Sequence, residues 1–193
     1  MIATDISPRM VTHIESAAKR AGSANIRAVA MDAEFLDVAD SSIDAAYCMF
    51  GVMLFADRTR AFREVHRVLR PGGRFVTTTW HETSRLLAPV RAAVHAIRPG
   101  SPPDAALSAP PVLGTPDALR QELETAGLRD IEVHELERTL EFSSHDVYLD
   151  DFPRANPMGI MMQRMLLPPV RAAMRERTDV APDVRPRITV SLG

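Results

Sequence analysis

Residues 31–80, "MDAEFLDVADSSIDAAYCMFGVMLFADRTRAFREVHRVLRPGGRFVTTTW", decide the fold. Residues 43–51 are apolar almost throughout and predict a strand buried on both faces. Asp57 then stands at the N-cap of a helix on which Phe62, Val65 and Leu69 form one apolar stripe. Pro71-Gly72-Gly73 is expected to stop that helix, and residues 74–80 to form the next strand. Strand, helix and strand in so short a span predict a βαβ unit with parallel strands.

Upstream the same plan recurs. Residues 26–32, "IRAVAMD", alternate and end in an acid. Residues 1–7, "MIATDIS", read as a buried strand ending in Asp5, and Ser7-Pro8 supplies an N-cap and a first-turn proline. Met10, Val11, Ile14, Ala17 and Ala18 then share a helical face, and Gly22 closes that helix. A dinucleotide-type fingerprint would place a first strand and glycine-rich loop about 20 residues before such an acid. The expectation is therefore an α/β sheet with helices on both faces, N-terminally truncated by that first strand.

Downstream the pattern is looser. Leu86, Leu87, Val90, Val94 and Ile97 mark a helix with a bend expected at Pro89. Residues 99–116 are rich in proline, alanine and serine and predict a long loop. Thr115-Pro116 opens a helix that Gly127 closes, residues 129–142 read as one extended strand, and residues 187–192 as a last short one. A helical segment from Asn156 is expected to break at Pro168-Pro169; Met158, Met161, Met162 and Met165 lie on one of its faces. That stripe reads first as core cover, and second as the wall of an apolar pocket. The whole is expected to form a single domain over 1–193, with a cofactor-binding half (1–98), a loop (99–116) and a C-terminal half (117–193).

Composition excludes several classes. With 46% hydrophobic and 25% charged residues, 193 residues suit one soluble domain. A net charge of −2 gives no field that would favour nucleic acid or an anionic membrane. Of 23 basic residues only Lys19 is lysine, and the arginines are scattered. One cysteine, Cys48, excludes an internal disulfide framework and a cysteine-based zinc site. Neither a signal peptide nor an apolar run of membrane-spanning length is visible, which makes a cytoplasmic protein the expectation.

Two acids carry the candidate chemistry. Asp5 ends one strand and Asp32 the next, and in open α/β sheets ligands bind outside those strand ends. Asp5 could accept both hydroxyls of a ribose or cap the following helix. Asp32, in Asp32-Ala33-Glu34, could accept from an exocyclic amine or cap a helix of its own. Together they are more informative than either alone, since both would face one crevice.

The fuller pattern resembles the class I S-adenosylmethionine-dependent methyltransferases, and most of all the ubiquinone/menaquinone-biosynthesis methyltransferases. It rests on acid-Ile-Ser, Asp-Ala-Glu, Ser-x-Ile-Asp and Glu-Val-x-Arg-Val-Leu-Arg-Pro-Gly-Gly at family-like intervals over residues 1–80. The resemblance implies a Rossmann-like fold, S-adenosylmethionine as cofactor and a small, apolar substrate molecule. It implies that Asp5 binds the ribose diol, with Ile6 and Met10 near the adenine. Asp32 and Ala33 would meet the adenine amine and ring edge, and Met49, Phe50 and Gly51 would line the methionine end. Pro71-Gly72-Gly73 would be a turn on the opposite edge. None of the nine glycines forms the family's first glycine-rich loop. Loss of that strand would leave unpaired edges on its neighbours, at about 1–3 kcal/mol for each buried unsatisfied group, and would open a route to self-association.

No residue is singled out as catalytic. Among six histidines His81, just after Trp80, is the best-placed base, although a surface or packing role is commoner for such a residue. Trp80 would wall the substrate pocket or pack in the core. A folded remnant acting through interactions is the alternative to an enzyme. A nicotinamide oxidoreductase using a Tyr-x-x-x-Lys pair is excluded, because Lys19 is the only lysine.

Overall fold

The computed structural model describes residues 1–80, 96–97, 113–137, 140–141, 147, 150, 168–176, 183–184 and 187–192. The chain forms two compact units. The first comprises Met1–Thr79, Pro116–His134 and Val190–Gly193, and the second Trp80–Thr115 and Glu135–Thr189.

β1 (Ile2–Asp5), α1 (Pro8–Arg20) and β2 (Arg27–Ala30) come first. β1 and β2 pair in parallel, from Ile2 opposite Arg27 to Asp5 opposite Ala30, and α1 packs on both strands. Proline at the first turn is preset for a helix, so α1 starts at Pro8. The Ser7 hydroxyl makes no cap bond; the Ser7 carbonyl accepts from the Met10 and Val11 N–H groups.

β3 (Ile43–Met49), α2 (Arg58–Val68) and β4 (Leu69–Trp80) repeat the plan, with β3 and β4 again parallel. Asp57 caps α2 as its sequence implies, its carboxylate accepting the Arg60 N–H at 2.9 Å. α3 (Pro116–Thr125) packs against α2, and Gly127, at φ +100°, follows its end. Further along the chain lie β5 (Glu132–Glu137), β6 (Leu140–Glu141), α4 (Pro168–Glu176), β7 (Asp183–Val184) and β8 (Arg187–Leu192). The sheet orders are β1-β2, β3-β4-β8-β5, and an antiparallel β6-β7 pair. This is an α/β architecture of helices and parallel strands.

The core of the first unit lies between β4, α2 and α3. Val52, Met53, Ala61, Phe62, Val68, Leu69, Phe75, Leu119 and Leu123 are buried there. The Phe62 and Phe75 rings are tilted at 59° with centroids 6.0 Å apart, a favourable aromatic pairing. In the second unit Leu113, at the end of the expected long loop, is buried.

Several expectations are corrected. β3 is not buried on both faces: Tyr47 is 71% and Met49 63% exposed. Among the described strands β3 has a partner only in β4, so it is a sheet edge rather than an interior strand. β4 begins at Leu69, so Pro71-Gly72-Gly73 lies inside the strand instead of preceding it. The extra residues are absorbed by a register shift between Ile43 and Ala45. Gly73 is required there: a Cβ would come 2.9 Å from the Arg70 carbonyl oxygen and 3.2 Å from those of Ile43 and Asp44. Residues 129–142 hold two strands rather than one, with Asp130 at φ 55° before the first. Pro168-Pro169 opens α4, as prolines in a first turn can, and the helical segment expected from Asn156 up to these prolines lies outside the described residues. Of the helix expected at 86–97, residues 96–97 are helical and the rest lie outside the described residues, as do residues 99–112 of the loop and the four-methionine stripe. Among the described residues no helix is long and apolar enough to cross a membrane.

Candidate functional site

The parallel register sets Asp5 and Asp32 at the same end of the β1-β2 pair, because Asp5 lies opposite Ala30, two residues before Asp32. Both acids make the same local turn. One Asp5 carboxylate oxygen accepts the Ser7 N–H at 2.8 Å, and one Asp32 oxygen accepts the Glu34 N–H at 2.9 Å. Such bonds to the backbone two residues on are a habit of aspartate in turns, and they orient the carboxylate. The second oxygen of each has no partner among the described residues. Neither acid caps a helix. Asp5 serves Ser7, ahead of α1, and residues 31–42 run as turns, bends and irregular chain to β3. The capping alternative is therefore overturned for both.

Ile6 and Met10, next along the chain from Asp5, are 72% and 46% exposed. Ala33 is half-buried in the loop after β2. That loop reaches the segment after β3 directly, since Glu34 Oε1 accepts the Asp57 N–H at 2.8 Å.

The end of β3 is a rigid turn. Phe50 sits at φ 55°, a conformation a bulky side chain rarely adopts. It is held by Thr78: the Phe50 N–H lies 3.0 Å from the Thr78 hydroxyl and 3.2 Å from the Thr78 carbonyl oxygen. Cys48 Sγ accepts from the Gly51 and Val52 N–H groups, but burial outweighs these bonds and pushes its thiol pKa up. A Cβ at Gly51 would stand 2.8 Å from that sulfur, so only glycine fits the turn as built. Met49, Phe50 and Gly51 thus share the carboxyl end of β3, which is parallel to β4 and opposite Thr78. Trp80 is the half-buried last residue of β4, and His81 lies outside the described residues.

Sequence reasoning missed Thr78, which looked like ordinary strand, and missed Glu34, Glu64 and Arg67, which hold the loop after β2. The pair Glu64 and Arg67 stood in the quoted Glu-Val-x-Arg motif, spaced three apart on one helical face, a signal for a side-chain pair.

The residues fit the adenosine end of S-adenosylmethionine. Two oriented carboxylates lie at adjoining strand ends, with exposed apolar side chains beside the first. Of the described glycines only Gly51 stands at the carboxyl end of a strand. Among the described residues no group of His, Cys, Asp or Glu could hold a metal ion.

Residues 1–77 match the methyltransferase domain family. Methyltransferase ucsB of an Acremonium species is 30% identical over 111 residues, 58% of this chain and 36% of that protein. The demethylmenaquinone methyltransferase of Deinococcus radiodurans is 40% identical over 78 residues, 39% of this chain and 31% of that protein. The matched stretches thus span about a third of the length of these relatives. The crystal structure of the YcgJ protein of Bacillus subtilis superposes with a TM-score of 0.63 at 18% identity, covering 100% of this chain and 80% of that one, which shows a shared Rossmann-like fold. With the domain match over residues 1–77 and the shared fold, residues 1–77 form a methyltransferase domain of the class I, Rossmann-like type.

Proposed function

We propose that this protein binds S-adenosylmethionine at the carboxyl ends of β1, β2 and β3 and transfers its methyl group to a small, apolar acceptor. The observation that carries the reading is the matched pair of acids: Asp5 and Asp32 end adjoining parallel strands, each oriented by an N–H two residues on. In this reading Asp5 accepts from the ribose hydroxyls. Asp32 accepts from the adenine amine, Ala33 meets the ring edge, and Ile6 and Met10 cover the base. Met49, Phe50 and Gly51 line the methionine end. When bound, the sulfonium supplies an activated methyl group, so the chain's own task is to align donor and acceptor. A general base is needed only where the acceptor must lose a proton. An apolar acceptor is supported by the demethylmenaquinone methyltransferase among the relatives.

Calorimetric titration with S-adenosylhomocysteine tests the reading. One-to-one binding is expected, weakened about 10- to 100-fold in Asp5→Ala, as loss of charge-assisted hydrogen bonds implies. No binding by folded, monodisperse protein would refute it.

A second reading, interaction through open strand edges, is favoured by β1 and β3 lying in separate sheets and by exposed Tyr47 and Met49. Concentration-dependent sedimentation would support self-association; a constant monomer mass would remove it.

A further inference from the structure

The loop after β2 carries Asp32 but contains no helix or strand of its own between Ala30 and Ile43. It is held from outside by α2. The Arg67 guanidinium forks onto Glu64, Nε to Oε1 and Nη2 to Oε2, both at 2.8 Å. The same guanidinium donates to the Leu36 and Val38 carbonyls at 2.8 Å each and to the Asp40 carboxylate at 2.5 Å. Glu64 Oε2 in turn accepts the Leu36 N–H at 2.8 Å. The backbone adds two bonds, from Ser41 N–H to the Arg67 carbonyl and from Ser42 N–H to that of Val68, each 2.9 Å.

This is more than a surface ion pair. An arginine that spends its donors on two backbone carbonyls and two carboxylates has one geometry, fixed by the planar fork. Both partners are biased towards their charged forms: the hydrogen bonds from Arg67 lower the Glu64 pKa, and those to Glu64 and Asp40 raise that of Arg67. The grip reaches the acid at the strand end through a short chain of bonds. Asp32 is oriented by the Glu34 N–H, Glu34 is tied to Asp57 at the start of α2, and Leu36, two residues on, is held on both its N–H and its carbonyl. The Asp32 carboxylate can keep its direction only while that loop keeps its shape.

We propose that Glu64 and Arg67 are positioning residues for base recognition: they hold the Asp32–Ala33 edge where it accepts an exocyclic amine, and so set the preference for adenine over a 6-oxo purine. The inference rests on the cofactor reading above and goes beyond it, since neither residue meets the ligand. A site built around a hydrogen-bond acceptor rejects an analogue that lacks the donor, because the acceptor is then left unpaired.

The test compares dissociation constants for S-adenosylhomocysteine and S-inosylhomocysteine in the wild type, Arg67→Gln, Arg67→Lys and Glu64→Gln. Leu123→Ala, in the core of α3, serves as a variant that only destabilises. The wild type is expected to prefer the adenosine ligand by at least about tenfold. Arg67→Gln and Glu64→Gln should reduce that ratio several-fold, Arg67→Lys should fall between them and the wild type, and Leu123→Ala should leave it intact. A merely structural role would weaken both ligands equally and leave the ratio unchanged, which would overturn the inference. So would a wild type that binds both ligands alike. If Arg67→Gln does not fold, Arg67→Lys and Glu64→Gln carry the same comparison. Failure of the wild type to bind either ligand would overturn the cofactor reading, and this inference with it.

Discussion

β1–α1–β2 and β3–α2–β4 are two copies of one plan, each a helix between two parallel strands, yet they bury their apolar residues very differently. In the first only Ala18 is buried, and Ile6, Met10, Met1 and Ile2 all stand exposed. In the second, Ala61, Phe62, Val68, Leu69, Phe75 and three consecutive threonines, Thr77 to Thr79, are closed off from solvent. The amphipathic pattern of α1 is no worse than that of α2. The difference lies in neighbours. α2 has α3 against it, with Leu119 and Leu123 at its disposal, and β4 has strands on both sides. Among the described strands β1 pairs with β2 alone. A stripe of apolar side chains therefore becomes a core only when a second layer meets it, and the periodicity that makes the helix does not supply that layer.

The sharpest way to break this comparison is to cut one apolar side chain from each helix. Phe62→Ala should cost about 3–5 kcal/mol in denaturant unfolding, since it empties a fully enclosed site against Phe75. Ile14→Ala, half-buried on α1, should cost about 1 kcal/mol or less. Equal losses would mean that the first half has a core after all.

Acid gives a second, smaller effect, because the first half is held to α2 by the grip of Glu64 and Arg67 on residues 36–40. Glu64 has a folded-state pKa below its ordinary value, chiefly through its hydrogen bonds from Arg67. The folded protein therefore binds fewer protons there than the unfolded chain. The stabilisation is complete above the ordinary carboxylate range and is lost as pH falls through the folded value. Protonation should remove about 1–2 kcal/mol, allowing for the partial exposure of the pair. Amide protection in β1 and β2, corrected for the intrinsic pH dependence of exchange, should fall on acidification before that in β4, and Glu64→Gln should flatten the response. Simultaneous loosening of both halves would show that the loop does not depend on this pair.

The smallest effect concerns the well-packed half. The Thr79 hydroxyl is buried with no hydrogen-bond partner among the described residues. Thr79→Val removes an unsatisfied polar atom at nearly constant shape, so the midpoint of unfolding should hold or rise by up to about 1 kcal/mol. A loss of 2 kcal/mol or more would reveal a partner for that oxygen.

Much of this was legible in the amino-acid order. Pro8, Asp57 and Pro116 begin helices, and Gly22 and Gly127 follow their ends, because caps, fixed φ angles and left-handed turns are local chemistry. The two acids at strand ends were equally plain, since a strand, an acid and a break can be read without knowing what lies opposite. Local chemistry also misled. The apolar run of β3 looked doubly buried and proved to be an edge with Tyr47 in solvent. Pro71-Gly72-Gly73 looked like a stop and proved to lie within a strand that shifts register past it. The pairing of β8 with β4 joins residues more than 100 positions apart in sequence, beyond the reach of any pattern in one segment.

The candidate site divides the same way. Which residues could recognise a ribose or an adenine was set by the sequence itself: carboxylates at Asp5 and Asp32, with apolar residues beside them. How those carboxylates are aimed was decided only by tertiary structure. The parallel register brings their strand ends level, Thr78 pins Phe50 in a left-handed conformation, and the Arg67 guanidinium, 31 residues beyond Leu36, grips the loop that carries Asp32. Element type follows from interactions within a few residues, whereas orientation at a site depends on hydrogen bonds between segments that meet only when the chain is folded.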